Sequence, residues 1–385
     1  MGLLNSKFVN EVLHILNPTL IFQAGDINRI PIQVDKINTV DKYVEENIIV
    51  SKTDWDSRET SWDFQQPPIL AQKAENLEEG FKAWLRRATS DFFQLHANEE
   101  ELNRIFIEIY GLQDELTPEV ALKDITILQD ELDHTALEQV KPPFEGKLLP
   151  VKRTVVMQQL ISYAVGCFMG RYRLDKPGLY IAHPNPGREE LAPYPYHGGL
   201  FEIDEDAIVP LMGSGCDFAD DAVNRFKGFL DLVWGAAARV ENINFIEACL
   251  DEGLEKYMVR SFWKEHCRTY QKRPVYWLFA SPKGAFQVLV YMHRMNGFTV
   301  EKIRSKYLLE HLKNLRSGIS ILEKHSGSLG AQEARTLDKL RKNLLECEQY
   351  DILVKDMADR QIVFDLDDGV AENYKKFGGI VAEIK

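Results

Sequence analysis

Eleven Lys and Arg fall between Lys264 and Arg316 against only Glu265, Glu301 and Glu310, a local excess of eight positive charges in a 385-residue chain of net charge −13. Six of them, Lys272, Arg273, Lys283, Arg294, Arg304 and Lys306, stand on or beside a stretch that reads as a rigid β-hairpin and the helix after it. A fixed backbone of that kind holds cations in register against a row of phosphates. A second basic stretch, Lys147 to Lys176, sets six basic residues against Asp175 alone, and Arg171 and Arg173 are its candidates. Basic patches in an acidic chain steer phosphates locally. The competing reading of both stretches is an ordinary solvated helix face.

Other residue patterns point to less. Asn17-Pro18-Thr19-Leu20 resembles the Asn-Pro-Pro-aromatic loop in which adenine methyltransferases hold an extruded base, but the second Pro and the aromatic are missing. A plain helix stop accounts for it. Gly213-Ser214-Gly215 lacks the third glycine of a nucleotide loop, and Asp217, Asp220 and Asp221 after it repel phosphate. Asp365, Asp367 and Asp368 lack the further oxygen ligands of a calcium loop and read as helix caps. His183 and His197 have no neighbouring ligand spacing. With no G-x-S-x-G elbow, P-loop or H-E-x-x-H, the sequence offers no catalytic residue, no cofactor-binding residue and no metal ligand set.

The element that must position the cations is Arg273 to Arg294. Val275 to Ala280 and Ala285 to Met292 are rich in β-branched and aromatic residues, and Ser281-Pro282-Lys283-Gly284 between them suits a type I turn closed by a left-handed residue. Neither run alternates, so both faces of the hairpin need cover from other segments. Those segments read mostly as helices: Ser6 to Leu16, Asp35 to Asn47, Leu77 to Leu95, Glu99 to Tyr110 started by Asn98 and Glu101, and Val151 to Gly170. Further on come Asp217 to Val240, Ile243 to Asp251, Glu252 to Tyr270, and an antiparallel pair from Val300 to His325 and Ala331 to Ala358. Thr19 to Ile32 reads as extended chain. Thr53 to Ser57 reads as a polar loop with Trp55, Trp62 and Phe64 exposed around it, Ala207 to Leu211 as a short strand, and Pro177 to Gly199 as a long loop without internal structure. The expected class is therefore mainly α with a small antiparallel β element (α+β), helical bundles packed around a central hairpin.

The five cysteines form no close pair and no C-x-x-C, which fits reduced thiols in a cytoplasm and disfavours an extracellular place. The longest charge-free stretch, Thr154 to Gly170, is shorter than the ~20 residues of a membrane span. No signal-peptide pattern opens the chain.

Five stretches in order, LLNSKFVNEVLHILNPTLIFQAGDINRIPI, EIYGLQDELTPEV, SYAVGCFMGRYRLDKPGLY, KRPVYWLFASPKGAFQVLVYMHR and DLDDGVAENYKKF, resemble the C-terminal part of the PglX family, the adenine-specific DNA methyltransferases of BREX phage-defence systems. These are similar to the fused methylase-specificity chains of restriction-modification enzymes. The resemblance runs nearly end to end and implies four regions: 1–35, the closing end of a target-recognition domain; 36–146, helical; 147–215, a long helix and a Pro/Gly-rich loop; and 216–385, helical, with the hairpin at 273–294. The S-adenosylmethionine loop and base-clamping motif of that family match no position of this sequence, so the cofactor is implied only for a methylase half elsewhere. The expectation is a fragment, or a split subunit whose catalytic half is a separate chain. Two functions remain open from the sequence: a DNA-recognition or clamping piece, silent in catalysis and binding double-stranded DNA weakly alone, or a scaffold docking other BREX subunits or the methylase half.

Overall fold

The computed structural model describes residues 1–19, 21–33, 35–213, 218–324 and 330–384, apart from the Ile37 side chain. Backbone contacts divide the chain into two units, one of residues 1–61, 68–72 and 79–155 and one of 62–67, 73–78 and 156–385. The class is the expected one, mainly helical α+β with small antiparallel sheets.

In the first unit, helix α1 (Lys7–Leu16) starts where the Ser6 hydroxyl accepts from the Val9 amide and stops before Pro18. Phe8, Val9 and Leu13 bury one face of it with Ile30, and Phe8 stacks on Tyr110 at 3.7 Å. The following segment is not wholly extended, because Gln23 and Asp26 form a capping box around the single turn Ala24–Ile27. Helix α2 (Ile37–Trp55) runs through the expected loop at Thr53, leaving Trp55 exposed at its end. Leu77–Tyr110 is one helix of 34 residues, α3, rather than two. Asn98 does not cap a new helix: it is buried, accepts from Gln94, and donates to Glu46 and Asn47 of α2. Its side chain is spent across the helix pair, so the backbone ladder continues unbroken.

In the second unit, α4 (Arg153–Phe168) contributes the residues from Val156 onward, nearly all buried. Phe64 is buried as well, edge-on to Tyr163 and Tyr172, whereas Trp62 is fully exposed. The Pro/Gly-rich loop contains structure: β1 (Tyr194–Tyr196) pairs with β2 (Gly199–Phe201). His197 and Gly198 between them have φ of 47° and 85°, both positive, as a two-residue hairpin turn demands. Then β3 (Ile208–Pro210) leads to α5 (Ala222–Trp234), capped by the Asp221 carboxylate and ended by Gly235 at φ 85°. The expected helix thus splits, and α6 (Arg239–Leu250) begins after the break. A π-helical turn, Tyr257–Ser261, precedes α7 (Phe262–Thr269). Beyond the hairpin, a second π-helical turn, Ile303–Leu308, opens onto α8 (Leu309–Lys324), antiparallel to α9 (Ala331–Asp359).

Strands β4 (Tyr276–Ala280) and β5 (Gln287–Tyr291) form the predicted hairpin, and β3 adds on the far side of β5. The order β3-β5-β4 makes β5 central. Trp277, Phe279, Val288 and Val290 join Tyr307, Leu312, Tyr350, Val354 and Phe377 in one hydrophobic core cluster. On the other face Tyr276 and Tyr291 meet edge to face, and the Tyr291 hydroxyl donates to the Ile181 carbonyl. Both faces are covered, as the unbroken apolar runs require. The outer edge of β4 is closed too: Ala280 donates to Ile380 and Ala382 to Leu278, so the last segment of the chain occupies ladder positions that would otherwise be open. The short helix α10 (Gly369–Lys375) carries Tyr374 into the same aromatic cluster.

Candidate nucleic-acid interface

The hairpin turn is fixed from two directions. Gly284 donates to the Ser281 carbonyl and has φ 76°, the left-handed closure read from the sequence. From α9, Glu346 Oε1 accepts from the Ser281 hydroxyl at 2.6 Å, the Lys283 amide at 2.7 Å and the Ala285 amide at 3.3 Å. From α8, His311 bonds the Ala285 carbonyl at 3.0 Å. Lys283 therefore projects from an immobilised turn, exposed and with no ion-pair partner among the described residues.

Lys272 and Arg273 lie at the opposite end of β4, where α7 closes. The Lys272 amide reaches back to the Cys267 carbonyl at 2.7 Å, the long closure bond of a Schellman-type stop, with Gln271 and Lys272 both at positive φ. Their side chains are exposed and likewise unpaired among the described residues, beside the negative end of the α7 dipole. The five-residue strand β4 lies between the two sites and by itself spans roughly 17 Å at ~3.3 Å per residue.

The other candidates are engaged by partners within the protein, although Lys306 stays exposed. Arg294 is buried and donates to three carbonyls, Met169 at 3.0 Å, Asp204 at 2.7 Å and Glu205 at 2.6 Å. Burial lowers its pKa, opposed by Asp204 and Asp206. Arg304 makes a bidentate pair with Asp351 at 2.7 and 3.0 Å, and Lys306 pairs with Asp206 at 2.8 Å. Arg171 is buried against the rings of Tyr172, Tyr270 and Tyr276 and donates to the Tyr270 hydroxyl at 2.6 Å. Arg173 lies 4.0 Å over Tyr194 and makes a bidentate pair with Asp175 through its Nε and Nη2. These five tie elements together, while Lys272, Arg273 and Lys283 face solvent.

The remaining motifs resolve into local structure. Asn17 spends its amide on Ile21 and Asp26 and its oxygen on Thr19, a turn device at the helix stop. Asp365 accepts from the Asp367 amide as a cap. His183 meets Glu190, and His197 stacks on Tyr196. Ser214 and Gly215 of the glycine turn lie outside the described residues. No group of three potential metal ligands occurs among the described residues, and no helix is long and apolar enough to cross a membrane.

Two features escaped the sequence. One is a buried polar cluster at the start of β3, in which Asp204 meets Arg225 at 3.2 Å and Asp206 accepts from Lys306 and Tyr307. Burial and the Asp206 charge push Asp204 up to about 7. Burial also works against the Asp206 anion, but hydrogen bonds from Asp204 and Lys306 outweigh it and hold Asp206 below the usual carboxylate range. The other is an open cleft of about 2190 Å³ walled by the hairpin turn, the segment before α7, and α8 and α9.

Fold and surface define a mainly helical α+β protein that displays a few fixed, unpaired cations on a buried hairpin. No family model matches the chain. Over 100% of its length it is homologous to part of the adenine-specific methyltransferases: it is 35% identical, over an alignment of 404 positions, to the adenine-specific methyltransferase BrxX of Escherichia coli O9:H4 (strain HS). It is 33% identical, over an alignment of 399 positions covering 98% of the chain, to the adenine-specific methyltransferase PglX of Lacticaseibacillus casei (strain Zhang). The chain spans 33% of the first relative and 31% of the second.

Proposed function

We propose that this chain is the DNA-contacting, C-terminal portion of a BREX-type adenine-specific DNA methyltransferase, working in the cytoplasm alongside a methylase half or other defence subunits. The observation that carries this is the pair of solvent-facing sites at the two ends of β4, Lys272 with Arg273 and Lys283, whose cations have no acid partner among the described residues. The strand between them alone spans roughly 17 Å, about five nucleotide steps of a duplex at ~3.4 Å each, so a DNA backbone running along β4 can reach both. S-adenosylmethionine belongs to the methylase half in this reading, and the chain alone transfers no methyl group.

The test is fluorescence anisotropy with a labelled duplex at two salt concentrations. Lys272→Glu with Arg273→Glu, and separately Lys283→Glu, should each weaken binding on every sequence and flatten the log-log salt slope by roughly 0.9 per lost contact. Affinities equal to that of the parent would remove the hairpin from the interface and leave protein docking as the function. Saturable binding of S-adenosylmethionine to the chain in a calorimeter would overturn the assignment of the cofactor to another half.

A further inference from the structure

Helices α8 and α9 lie antiparallel and present one face each to the cleft. On α8 the lining includes His311, Asn314, Gly318 and Ile321, and on α9 it includes Lys339, Lys342, Leu345, Glu346 and Gln349. The spacing of three, four or seven is that of a single helix face. Two antiparallel helices with exposed facing rows form a trough into which a third helix packs, by the geometry that builds three- and four-helix bundles. The trough is also apolar where it should be wet: Ile321 is 57% exposed and Leu345 59% exposed, on opposite walls.

Charge decides what kind of helix fits. Among the described lining residues, Arg260 and Lys339 have no acid partner. Lys283 adds a third free cation at the hairpin rim. The walls carry Lys256, Arg260, Lys283, Lys339 and Lys342 against Glu255, Asp338 and Glu346, an excess of two positive charges; Lys256 pairs with Glu252, Lys342 with Asp338, and Glu346 accepts from the turn amides. A cationic trough in a chain of net charge −13 is thus built against the sign of the whole protein. Among the described residues no Phe, Tyr or Trp lines it, so they offer nucleobases no stacking platform.

We infer that the trough between α8 and α9 docks an acidic amphipathic helix of a partner protein. Apolar side chains at i, i+3 or i+4 and i+7 cover Ile321 and Leu345, and carboxylates on the flanks meet Arg260 and Lys339. This goes beyond the DNA reading and does not depend on it.

A displayed library of random 18-residue peptides, panned on the full chain, tests it. The enriched sequences should be acidic with helical apolar spacing. A synthetic peptide of the enriched sequence should lose at least tenfold in affinity on Arg260→Glu with Lys339→Glu, and equally on Ile321→Ser with Leu345→Ser. All four residues are at the surface, and unchanged circular dichroism melts confirm that the variants fold. A version of the peptide with its acids changed to Lys should regain binding to the Arg260→Glu, Lys339→Glu protein. Lys283 stays intact in both variants, and their duplex affinity should match that of the parent. Enrichment of basic peptides, no enrichment, or equal binding by parent and variants overturns the inference. A fall in duplex affinity with either variant also overturns it and makes the trough a nucleic-acid surface, leaving the hairpin contacts standing.

Discussion

Glu346 shows how one side chain fixes a candidate contact. Its carboxylate oxygen gathers one hydroxyl and two amides of the turn that carries Lys283. Hydrogen bonds to a charged acceptor are worth about 1.5 to 3 kcal/mol, so Glu346→Ala is expected to cost about 2 kcal/mol in urea unfolding and to weaken any binding that depends on Lys283. A second residue-scale expectation concerns Asp204. An unfolded Asp titrates near 3.8 and the folded Asp204 near about 7. Between those values the folded chain keeps a proton that the unfolded chain has released, so stability falls as pH rises through that window and levels off above it. Asp204→Asn cannot ionise and still offers an oxygen to the Asp206 and Ile208 amides. The parent should therefore lose more Tm than the variant between about pH 5 and about pH 8, and parallel losses would show that Asp204 titrates normally.

The hairpin was legible as an element because its signals are local: two unbroken apolar runs, a Pro-Lys-Gly turn, and no polar face. Trp277 sits at its centre, fully buried against Phe364, Tyr374 and Phe377. Trp277→Ala should cost about 3 to 5 kcal/mol, the range for emptying an aromatic site, and an unchanged Tm would contradict this packing. The closing of β4 by residues 380–382 was not legible, since a single bridge has no periodicity to read. Ala382→Pro deletes the amide that bonds Leu278 at 2.8 Å. It should cost about 1 to 3 kcal/mol in thermal or urea unfolding, by leaving a buried carbonyl without its donor. Helix ends were misread where a side chain bonded across elements instead of along its own, as Asn98 does.

For the whole molecule, folding pairs three of the local excess of eight charges with acids from outside the stretch. Arg304, Lys306 and Arg316 find acids on other segments, Arg268 and Lys313 find them one turn away, and Arg294 is sealed among carbonyls. Lys264, Lys272, Arg273, Lys283 and Lys302 have no acid partner among the described residues, and the remainder of the chain is strongly acidic. Duplex affinity of the isolated chain is accordingly expected in the ~10⁻⁴ to 10⁻⁶ M range of nonspecific phosphate contacts, with little sequence preference in anisotropy. Sequence-selective nanomolar binding would mean that base-reading groups are present here after all.

Composition and periodicity alone determined the helical class, the hairpin with its turn, and the burial of both of its faces, because each follows from neighbours a few residues apart. They also marked the basic stretch but not which of its members are available. That was decided by partners distant in sequence: Asp351 lies 47 residues from Arg304, Asp206 lies 100 from Lys306, and the carbonyl of Asp204 lies 90 from Arg294. A charge reads the same in a sequence whether it faces water or a carboxylate, and only the packing of distant segments sets the difference.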